Sequence, residues 1–332
     1  MKTANTQCRL AARPTGQIKP GDFAFVEEPV PTAGEGHFVV AVDYLSIDPA
    51  MRTWMNAGRS YVPPVAVGDV MRALAIGRVV ESRHQGYAVG DVVSGLFGVQ
   101  DFAISDGAGV SKVDTSLVPP TTHLAALGIS GLTAYFGLLD IGKPAQGQTV
   151  LVSGAAGSVG NVVGQIAQIA GCRVVGIAGG EQKCRWLVDE VGFDAAIDYK
   201  TADLRAELKT HAPDGVDVFF DNVGGVTLEA ALNRLAHGAR IVLCGAVSQY
   251  NDTPRGPANY MQLLVARASM TGFVIFDYAD RYPEGVERLA DWLSTGQLSS
   301  YEDVVTGTVA DFHATLLTLF EGMNTGKLIL AL

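Results

Sequence analysis

A glycine-rich turn between a β-branched run and an amphipathic segment constrains this chain more than any other feature. Residues 150–153 are Val-Leu-Val-Ser, and they are followed by Gly154-Ala-Ala-Gly157-Ser-Val-Gly160. The pattern predicts a strand, a phosphate-binding loop and a helix start, because such glycines let the backbone approach a pyrophosphate whose charge the helix N-terminus stabilises. The motif departs from G-x-G-x-x-G, since Ala155 stands at the first glycine position. A tight turn without a ligand is therefore the alternative.

The residues beyond the turn complete a βαβ unit and continue its rhythm. Apolar residues at 162, 163, 166, 167 and 170 share one helical face, and 173–178 form a second β-branched run. The alternation continues to Cys244 and predicts a doubly wound parallel sheet. Strands are predicted at 149–153, 173–178, 195–199, 216–220 and 239–244, and helices from Thr133, at 161–170, from Glu181, around Leu204 and at 228–235.

The segments on either side of this region have a different texture. Residues 1 to about 120 alternate short β-rich runs, such as 37–44, 75–81 and 91–96, with Gly and Pro turns, which is typical of a β-rich barrel-like domain. The C-terminal part predicts helices at 282–294 and 312–321 and strands near 304–309 and at 327–330. A chain of 332 residues exceeds one ordinary core, so we expect an α/β protein with domains at 1–122, completed by 296–332, and at 123–295.

Charge and cysteine usage narrow the classes of function. A net charge of −10 disfavours nucleic acids and anionic membranes as partners, because both attract clustered Lys and Arg. The N-terminal residues contain no signal-peptide core, and no later stretch approaches the roughly 18 apolar residues of a membrane span. The four cysteines, at positions 8, 172, 184 and 244, form no C-x-x-C pair and indicate reduced thiols. We therefore expect a cytoplasmic protein.

The end of the second strand distinguishes NAD from NADP. NAD sites usually carry an acidic residue there, whereas this strand ends in Ala178-Gly-Gly180, followed by Glu181, Lys183 and Arg185. The two cations, together with the phenol of Tyr199 at the end of the next strand, can bind a 2′-phosphate. This arrangement predicts NADPH. The alternative is that the two cations belong to the solvated first turn of an amphipathic helix.

Five further stretches resemble one family of enzymes. They are LSIDPAMR at 45–52, GLTAYFGL at 131–138, FDNVGG at 220–225, CGAVSQYN at 244–251 and GMNTGK at 322–327. These stretches are similar to the zinc-independent medium-chain dehydrogenase/reductases, and more narrowly to their prostaglandin reductase and alkenal double-bond reductase branch, which includes bacterial curcumin reductase. The resemblance implies a GroES-like β-rich catalytic domain, a Rossmann domain, and NADPH-dependent reduction of the carbon–carbon double bond of α,β-unsaturated ketones and aldehydes. It also implies a homodimer.

The resemblance also implies the residues of a cofactor site. The pyrophosphate loop would be Gly157, Ser158, Val159 and Gly160, and Lys183 with Tyr199 would contact the adenosine phosphate. The rest of the groove would be lined by Asn222, Cys244, Gly245, Ala246, Val247, Ser248, Gln249, Tyr250, Phe273, Val274, Ile275 and Asn324. Each has a purely structural alternative. Asn222 would then be a turn residue, Phe273 a core residue and Asn324 a left-handed residue after a helix.

The sequence lacks the ligands of a catalytic zinc at the positions where zinc-bearing relatives carry them. Zinc-bearing relatives carry a cysteine near 45–48 and a His-Glu pair where this chain has Val67-Gly-Asp-Val70, since catalytic zinc takes about three protein ligands plus water. The six histidines share no ligand spacing. We therefore expect no metal in the site.

Without a metal, the carbonyl oxygen of an enone must be stabilised by a hydrogen-bond donor, because hydride addition to the β-carbon builds negative charge on it. Tyr250, in the loop after the strand that ends near Cys244, is the candidate donor, and packing over the nicotinamide is its alternative role. Ala50, where relatives commonly carry tyrosine, and Tyr61 are expected in the substrate wall, and the alternative for Tyr61 is that it only anchors its Pro-flanked loop. Two other functions are compatible with this sequence, an NADPH quinone reductase and a non-catalytic NADPH-binding protein.

Overall fold

A computed structural model describes residues 3–332 of the chain, which divides into two compact units. One unit extends to Leu124 and resumes at Glu302–Leu332, and the other is Ala125–Tyr301.

Strands dominate the first unit, as the alternation of short apolar runs with turns predicts. Its N-terminal elements are β1 Ala4–Leu10, β2 Phe23–Pro29, β3 Phe38–Ser46, α1 Ala50–Trp54, β4 Ala75–Ser82, β5 Val92–Gly95, β6 Phe102–Ser105 and β7 Ser111–Lys112. β4 begins with three buried residues, Ala75, Ile76 and Gly77, which precede the exposed Arg78. Gly77 is needed there because a Cβ would lie 2.2 Å from the backbone oxygen of Ala41 on the neighbouring β3.

The second unit alternates strands and helices. Its elements are α2 Ile129–Phe136, β8 Thr149–Ser153, α3 Ser158–Ile169, β9 Arg173–Ala178, α4 Glu181–Asp189, β10 Ala195–Asp198, α5 Leu204–His211, β11 Val216–Asp221, α6 Gly225–Leu232, β12 Leu235–Leu243, α7 Gln262–Ala266, β13 Ser269–Gly272 and α8 Tyr282–Ser294. The six strands pair in parallel in the order β10-β9-β8-β11-β12-β13. This confirms the predicted doubly wound sheet, whose chain order reverses between β8 and β11.

The parallel sheet is buried on both faces, which explains why its strands are continuous apolar runs. Val150 and Val152 of β8 pack with Val163 and Ile166 in one core cluster. Leu151, between them, belongs to a second cluster with side chains of α5 and α6. Successive side chains of a strand point to opposite faces, so helices on both sides of the sheet require this pattern.

The C-terminal segment returns to the first unit. Its elements are β14 Glu302–Thr306, α9 Phe312–Phe320 and β15 Lys327–Ala331. β15 pairs antiparallel with β3, and the larger sheet has the order β14-β15-β3-β4-β5-β7, with β6 also on β3. β1 and β2 form a separate antiparallel pair.

Several predicted boundaries are wrong; the strand predicted at 239–244, for example, is β12, which begins at Leu235. α2 begins at Ile129, four residues before the predicted start at Thr133. The helix predicted at 228–235 is α6, which ends at Leu232. Leu235 already pairs with Val216, and the N–H of Val216 donates to the backbone oxygen of Arg234 at 2.8 Å. The strand predicted near 304–309 is β14, which covers Glu302–Thr306 because its pairing with β15 begins at Glu302.

The sequence did not predict β13. Its residues Ser-Met-Thr-Gly form no β-branched run, and three of them are exposed. Because β13 is the edge strand, only its backbone pairing with β12 defines it. Among the helices of residues 3–332, none combines the length and apolar character that crossing a membrane requires.

Candidate active site

The turn between β8 and α3 has the backbone geometry of an anion site. Gly157 precedes the first residue of α3 and makes no side-chain cap, so the first N–H groups of the helix receive no capping side chain from it. A Cβ on Gly157 would meet only the backbone oxygen of Gly154, at 3.2 Å. A Cβ on Gly160 would lie 2.4 Å from that same oxygen, so glycine is required there for the helix to approach the loop. The geometry therefore leaves the helix N-terminus accessible to an anion.

Ser158, the first residue of α3, supplies a second observation at this turn. Its Oγ is buried and has no hydrogen-bond partner among residues 3–332. A buried hydroxyl is normally hydrogen-bonded, so an unpartnered one at a helix N-terminus fits a ligand oxygen. The residues present here fit the pyrophosphate of a dinucleotide.

The predicted 2′-phosphate residues follow the ends of β9 and β10. A Cβ on Gly179 would lie 2.9 Å from a ring carbon of Tyr199 and 3.0 Å from Cε of Lys200, so the glycine lets both side chains lie across the turn. Tyr199 is 48% exposed, and Lys183 is half-buried in the first turn of α4. Lys200 is a further cation at this turn that the motifs did not indicate, although its position directly after Tyr199 is a signal for it.

Two carboxylates near this turn have protein partners of their own. Arg185 and Glu181 form an i,i+4 ion pair at 2.6 Å on the exposed face of α4, so Glu181 competes with any phosphate for this arginine. Asp198 accepts hydrogen bonds from the N–H groups of Gly180 and Lys200, at 2.8 and 3.0 Å. These bonds, that from Gly180 first, lower the pKa of the Asp198 carboxyl. Asp198 thus holds the turn after β9 against the end of β10.

The loops after β11 and β12 are held together by hydrogen bonds. Asn222 donates from its Nδ2 to the backbone oxygen of Ser153 at 2.7 Å, so it connects the end of β11 to the end of β8. The N–H of Val247 donates to the backbone oxygen of Asn222 at 3.2 Å, and Ser248 Oγ donates to the backbone oxygen of Val223 at 2.6 Å. Asn222 is therefore more than a local turn residue.

Tyr250 folds back over its own loop. Its hydroxyl oxygen accepts a hydrogen bond from the N–H of Ala246 at 3.3 Å, and it lies 3.0 Å from where a Cβ on Gly245 would stand. The side chain is half-buried. The phenol is thus fixed over the Gly245–Ala246 backbone, within the loop that follows β12.

Residues 273–275 follow β13 at the same edge of the sheet. The ring of Phe273 contacts that of Phe220, with centroids 6.4 Å apart, and a Cβ on Gly137 would lie 2.5 Å from it. Ile275 is buried, whereas Val274 is half-buried. The packing of Phe273 supports its core role, and a cofactor contact by this segment remains a prediction.

Three predicted site residues belong to the first unit. Ala50 is the first residue of α1, and Tyr61 accepts a hydrogen bond from Nε1 of Trp54, the last residue of that helix, at 3.3 Å. Asn324 is 7% exposed and donates to the backbone oxygen of Gly326 at 3.0 Å. In residues 3–332 the non-glycine residues with positive φ are Lys143 and Arg267, so the left-handed alternative for Asn324 is wrong.

Metal ligands do not cluster in the described structure. Across residues 3–332, no group of three or more His, Cys, Asp or Glu side chains could hold a metal ion.

Known proteins resemble this chain over nearly its whole length. A family described as the N-terminal domain of oxidoreductase matches residues 6–113, and one described as zinc-binding dehydrogenase matches residues 158–291. The NADPH-dependent curcumin reductase of Escherichia coli is 40% identical, covering 99% of this chain and 97% of that protein. The NADP(+)-dependent 2-alkenal reductase of Nicotiana tabacum is 37% identical, covering 98% and 97%.

A solved structure agrees with these relatives. The crystal structure of CurA from Vibrio vulnificus in complex with NADPH has a TM-score of 0.93 and 40% identity, and the match covers 98% of both chains. The β-rich unit, the parallel sheet and the glycine turn at its switch point agree with the sequence motifs. The chain therefore belongs to the medium-chain dehydrogenase/reductases, in the branch of the prostaglandin, curcumin and alkenal double-bond reductases.

Proposed function

We propose that this protein reduces the carbon–carbon double bond of α,β-unsaturated ketones and aldehydes, with NADPH as the hydride donor. The observation that carries the proposal is the near full-length similarity to a curcumin reductase and a 2-alkenal reductase, at 40% and 37% identity. The substrates in these names share an activated double bond next to a carbonyl. The CurA structure with NADPH, at 40% identity, supports the cofactor.

The second unit supplies groups that suit NADPH. The unpartnered Ser158 Oγ and the N-terminus of α3 would bind the pyrophosphate through Gly157–Gly160. Lys183 and Tyr199 would bind the 2′-phosphate. Asn222, the loop 244–250 and residues 273–275 would line the remainder.

The reaction requires stabilisation of an oxyanion. When bound, NADPH supplies a hydride to the β-carbon, the C=C π bond breaks, and the electron pair moves to the carbonyl oxygen until a proton reaches the α-carbon. We assign Tyr250 as the donor to that oxygen, supported by the hydrogen bond that fixes its hydroxyl at Ala246 N–H. Ala50 and Tyr61 would form part of the substrate wall, and Ala50 leaves more room than a tyrosine.

Substitution of Tyr250 tests this assignment. We predict that Tyr250→Phe lowers kcat with a saturating enone by about 10²-fold, the effect of removing one oxyanion donor. The Kd for NADPH, measured by fluorescence, is the control for a displaced loop. An unchanged kcat at saturating NADPH would eliminate Tyr250 as the essential donor.

We propose that the reaction needs no metal, because residues 45–48 and 67–70 lack the Cys, His and Glu that a catalytic zinc takes. Elemental analysis of active protein tests this, and stoichiometric zinc would contradict it. We also propose a cytoplasmic location, which four free cysteines support.

We propose a homodimer formed through the edge of the parallel sheet. β13 has a neighbouring strand, β12, on one side, and α7, which precedes β13 in the chain and packs against β12, exposes Leu264 and Val265 at 69% and 65%. A second copy that pairs with β13 would continue the sheet and cover these side chains. Sedimentation equilibrium should give twice the 34.9 kDa chain mass, and Leu264→Glu should shift it toward that of the monomer. A monomeric wild-type protein would contradict the proposal.

A panel of enones, enals and quinones, followed by loss of NADPH absorbance with NADH in parallel, tests the activity as a whole. The proposal expects turnover of enones and enals with preference for NADPH. Turnover of quinones alone would favour a quinone reductase, and cofactor binding without turnover would favour a binding protein.

A further inference from the structure

A buried carboxyl at the end of β11 serves as a common hydrogen-bond acceptor beneath the candidate cofactor loops. Asp221 is 0% exposed, and its Oδ1 accepts from Ser153 Oγ at 2.7 Å and from the N–H groups of Val223 and Gly224, both at 3.0 Å. Its Oδ2 is buried and has no hydrogen-bond partner among residues 3–332. Such a group is costly to bury, and an apolar side chain would fill a purely structural position at lower cost.

Ser153, at the end of β8, extends the network to a second loop. Its Oγ is 2.9 Å from the backbone N of Asn222 and accepts that hydrogen bond while donating to Asp221. Its backbone oxygen accepts from Asn222 Nδ2 at 2.7 Å. Ser153 thus fixes the backbone of Asn222 through its hydroxyl and the side chain of Asn222 through its backbone oxygen, although these residues are 69 positions apart in the chain.

The backbone of Asp221 reaches the third loop. Its carbonyl oxygen accepts from the N–H groups of Cys244 and Gly245, at 2.9 and 3.1 Å, at the point where β12 ends. Burial raises the pKa of the Asp221 carboxyl, against the effect of its three donors, and burial followed by Asp221 raises the pKa of Cys244 to about 12. Ser153 and Asp221 therefore join the loops after β8, β11 and β12, the loop after β12 through the backbone oxygen of Asp221.

We propose that Ser153 and Asp221 are positioning residues that hold the loops after β11 and β12 ready to bind the nicotinamide half of NADPH, an inference that rests on the proposed function. The sheet order supports this division. Lys183 and Tyr199 follow β9 and β10 on one side of β8, whereas Asn222 and the loop 244–250 follow β11 and β12 on the other. Loss of the pair should therefore affect one half of the cofactor more than the other.

Ser153→Ala tests the inference by binding of two ligands to the apo protein. NADPH would contact the loops on both sides of β8, whereas adenosine 2′,5′-bisphosphate contains only the half that would bind near β9 and β10. We expect a Kd for NADPH about tenfold higher, the loss typical of a buried hydrogen bond, and a Kd for the bisphosphate within about twofold of wild type. Thr133→Val is the matched control, because that buried hydroxyl donates within its own helix to Ile129. It should leave both Kd values unchanged.

Equal weakening of both ligands by Ser153→Ala, or no change in either, would overturn the inference. A wild-type protein that binds no NADPH would instead refute the proposed function. Hydrogen exchange of the wild-type apo protein gives a measurement that needs no variant. The amides of Asn222, Val223 and Gly224 should be protected like those of β11, and rapid exchange would show that the loops are not held in place before the cofactor binds.

Discussion

At the scale of single residues, two cations on α4 differ in their surroundings although they lie two positions apart. Arg185 pairs with Glu181 at 2.6 Å, and both side chains are mostly exposed. Lys183 is half-buried in the first turn, on the helix that follows the Gly179–Gly180 turn. Because Lys183 is the less exposed of the two and lies in the turn of α4 nearest Gly180, it is the stronger candidate for the 2′-phosphate.

This difference predicts a selective effect. Lys183→Ala should raise the Kd for NADPH by roughly ten- to a hundredfold, the value of a charge-assisted hydrogen bond, and leave the Kd for NADH unchanged. Arg185→Ala, the matched control, should leave the ratio of the two Kd values near wild type. Equal losses for NADPH and NADH in Lys183→Ala would show that the lysine does not recognise the 2′-phosphate.

At the scale of elements, two glycines of one turn have separable roles. A Cβ on Gly160 would lie 2.4 Å from Gly154 O and 2.8 Å from Ala155 Cα, so α3 would have to move away from the loop. A Cβ on Gly157 would meet Gly154 O at 3.2 Å, and φ there is −82°, which any residue adopts.

We therefore predict that Gly160→Ala lowers the free energy of unfolding by about 1–3 kcal/mol, the cost of overpacking. Gly157→Ala should change the free energy of unfolding by less than about 1 kcal/mol. It should nevertheless weaken the binding of NADPH, because the new methyl group would stand where the pyrophosphate approaches. Urea unfolding and cofactor titration of both variants separate the two effects. The reverse pattern would contradict the assignment of the loop.

At the scale of the whole molecule, the four thiols share a raised pKa, although Cys8 and Cys172 are buried and Cys184 and Cys244 are half-buried. Burial raises the pKa of Cys8 and Cys244 to about 12 and that of Cys184 to about 11, and it also raises that of Cys172. Thiolates add to enones, so neutral thiols suit an enzyme that handles such compounds. Because folding raises these pKa values, the contribution of the thiols to the free energy of unfolding is fully present below about pH 8.5. It is lost as the pH rises, since the unfolded chain then ionises its thiols before the folded chain does.

The native protein should accordingly react slowly with a thiol reagent such as dithionitrobenzoate at pH 8. The unfolded protein should titrate all four cysteines at once. Rapid reaction of even one native thiol would show that burial does not protect it.

The sequence predicts the elements whose signal is local. β8, β9 and α8 have the predicted bounds, because buried β-branched runs and an amphipathic period are delimited by polar residues or glycines. The parallel order then brings the predicted loops to one edge of the sheet. Contacts that depend on distant residues were not predictable. The Ser153–Asp221 pair joins positions 68 apart, and the pairing of Leu235 with Val216 ends a helical pattern early.

The proposed reaction delivers a hydride to the β-carbon of an enone. Incubation of the protein with NADPH deuterated at the transferred position and an enone such as 3-nonen-2-one, followed by mass spectrometry and NMR of the product, tests it most directly. Hydride transfer to the β-carbon would give the saturated ketone with one deuterium on that carbon. An allylic alcohol with deuterium on the former carbonyl carbon, or no label transfer, would contradict it.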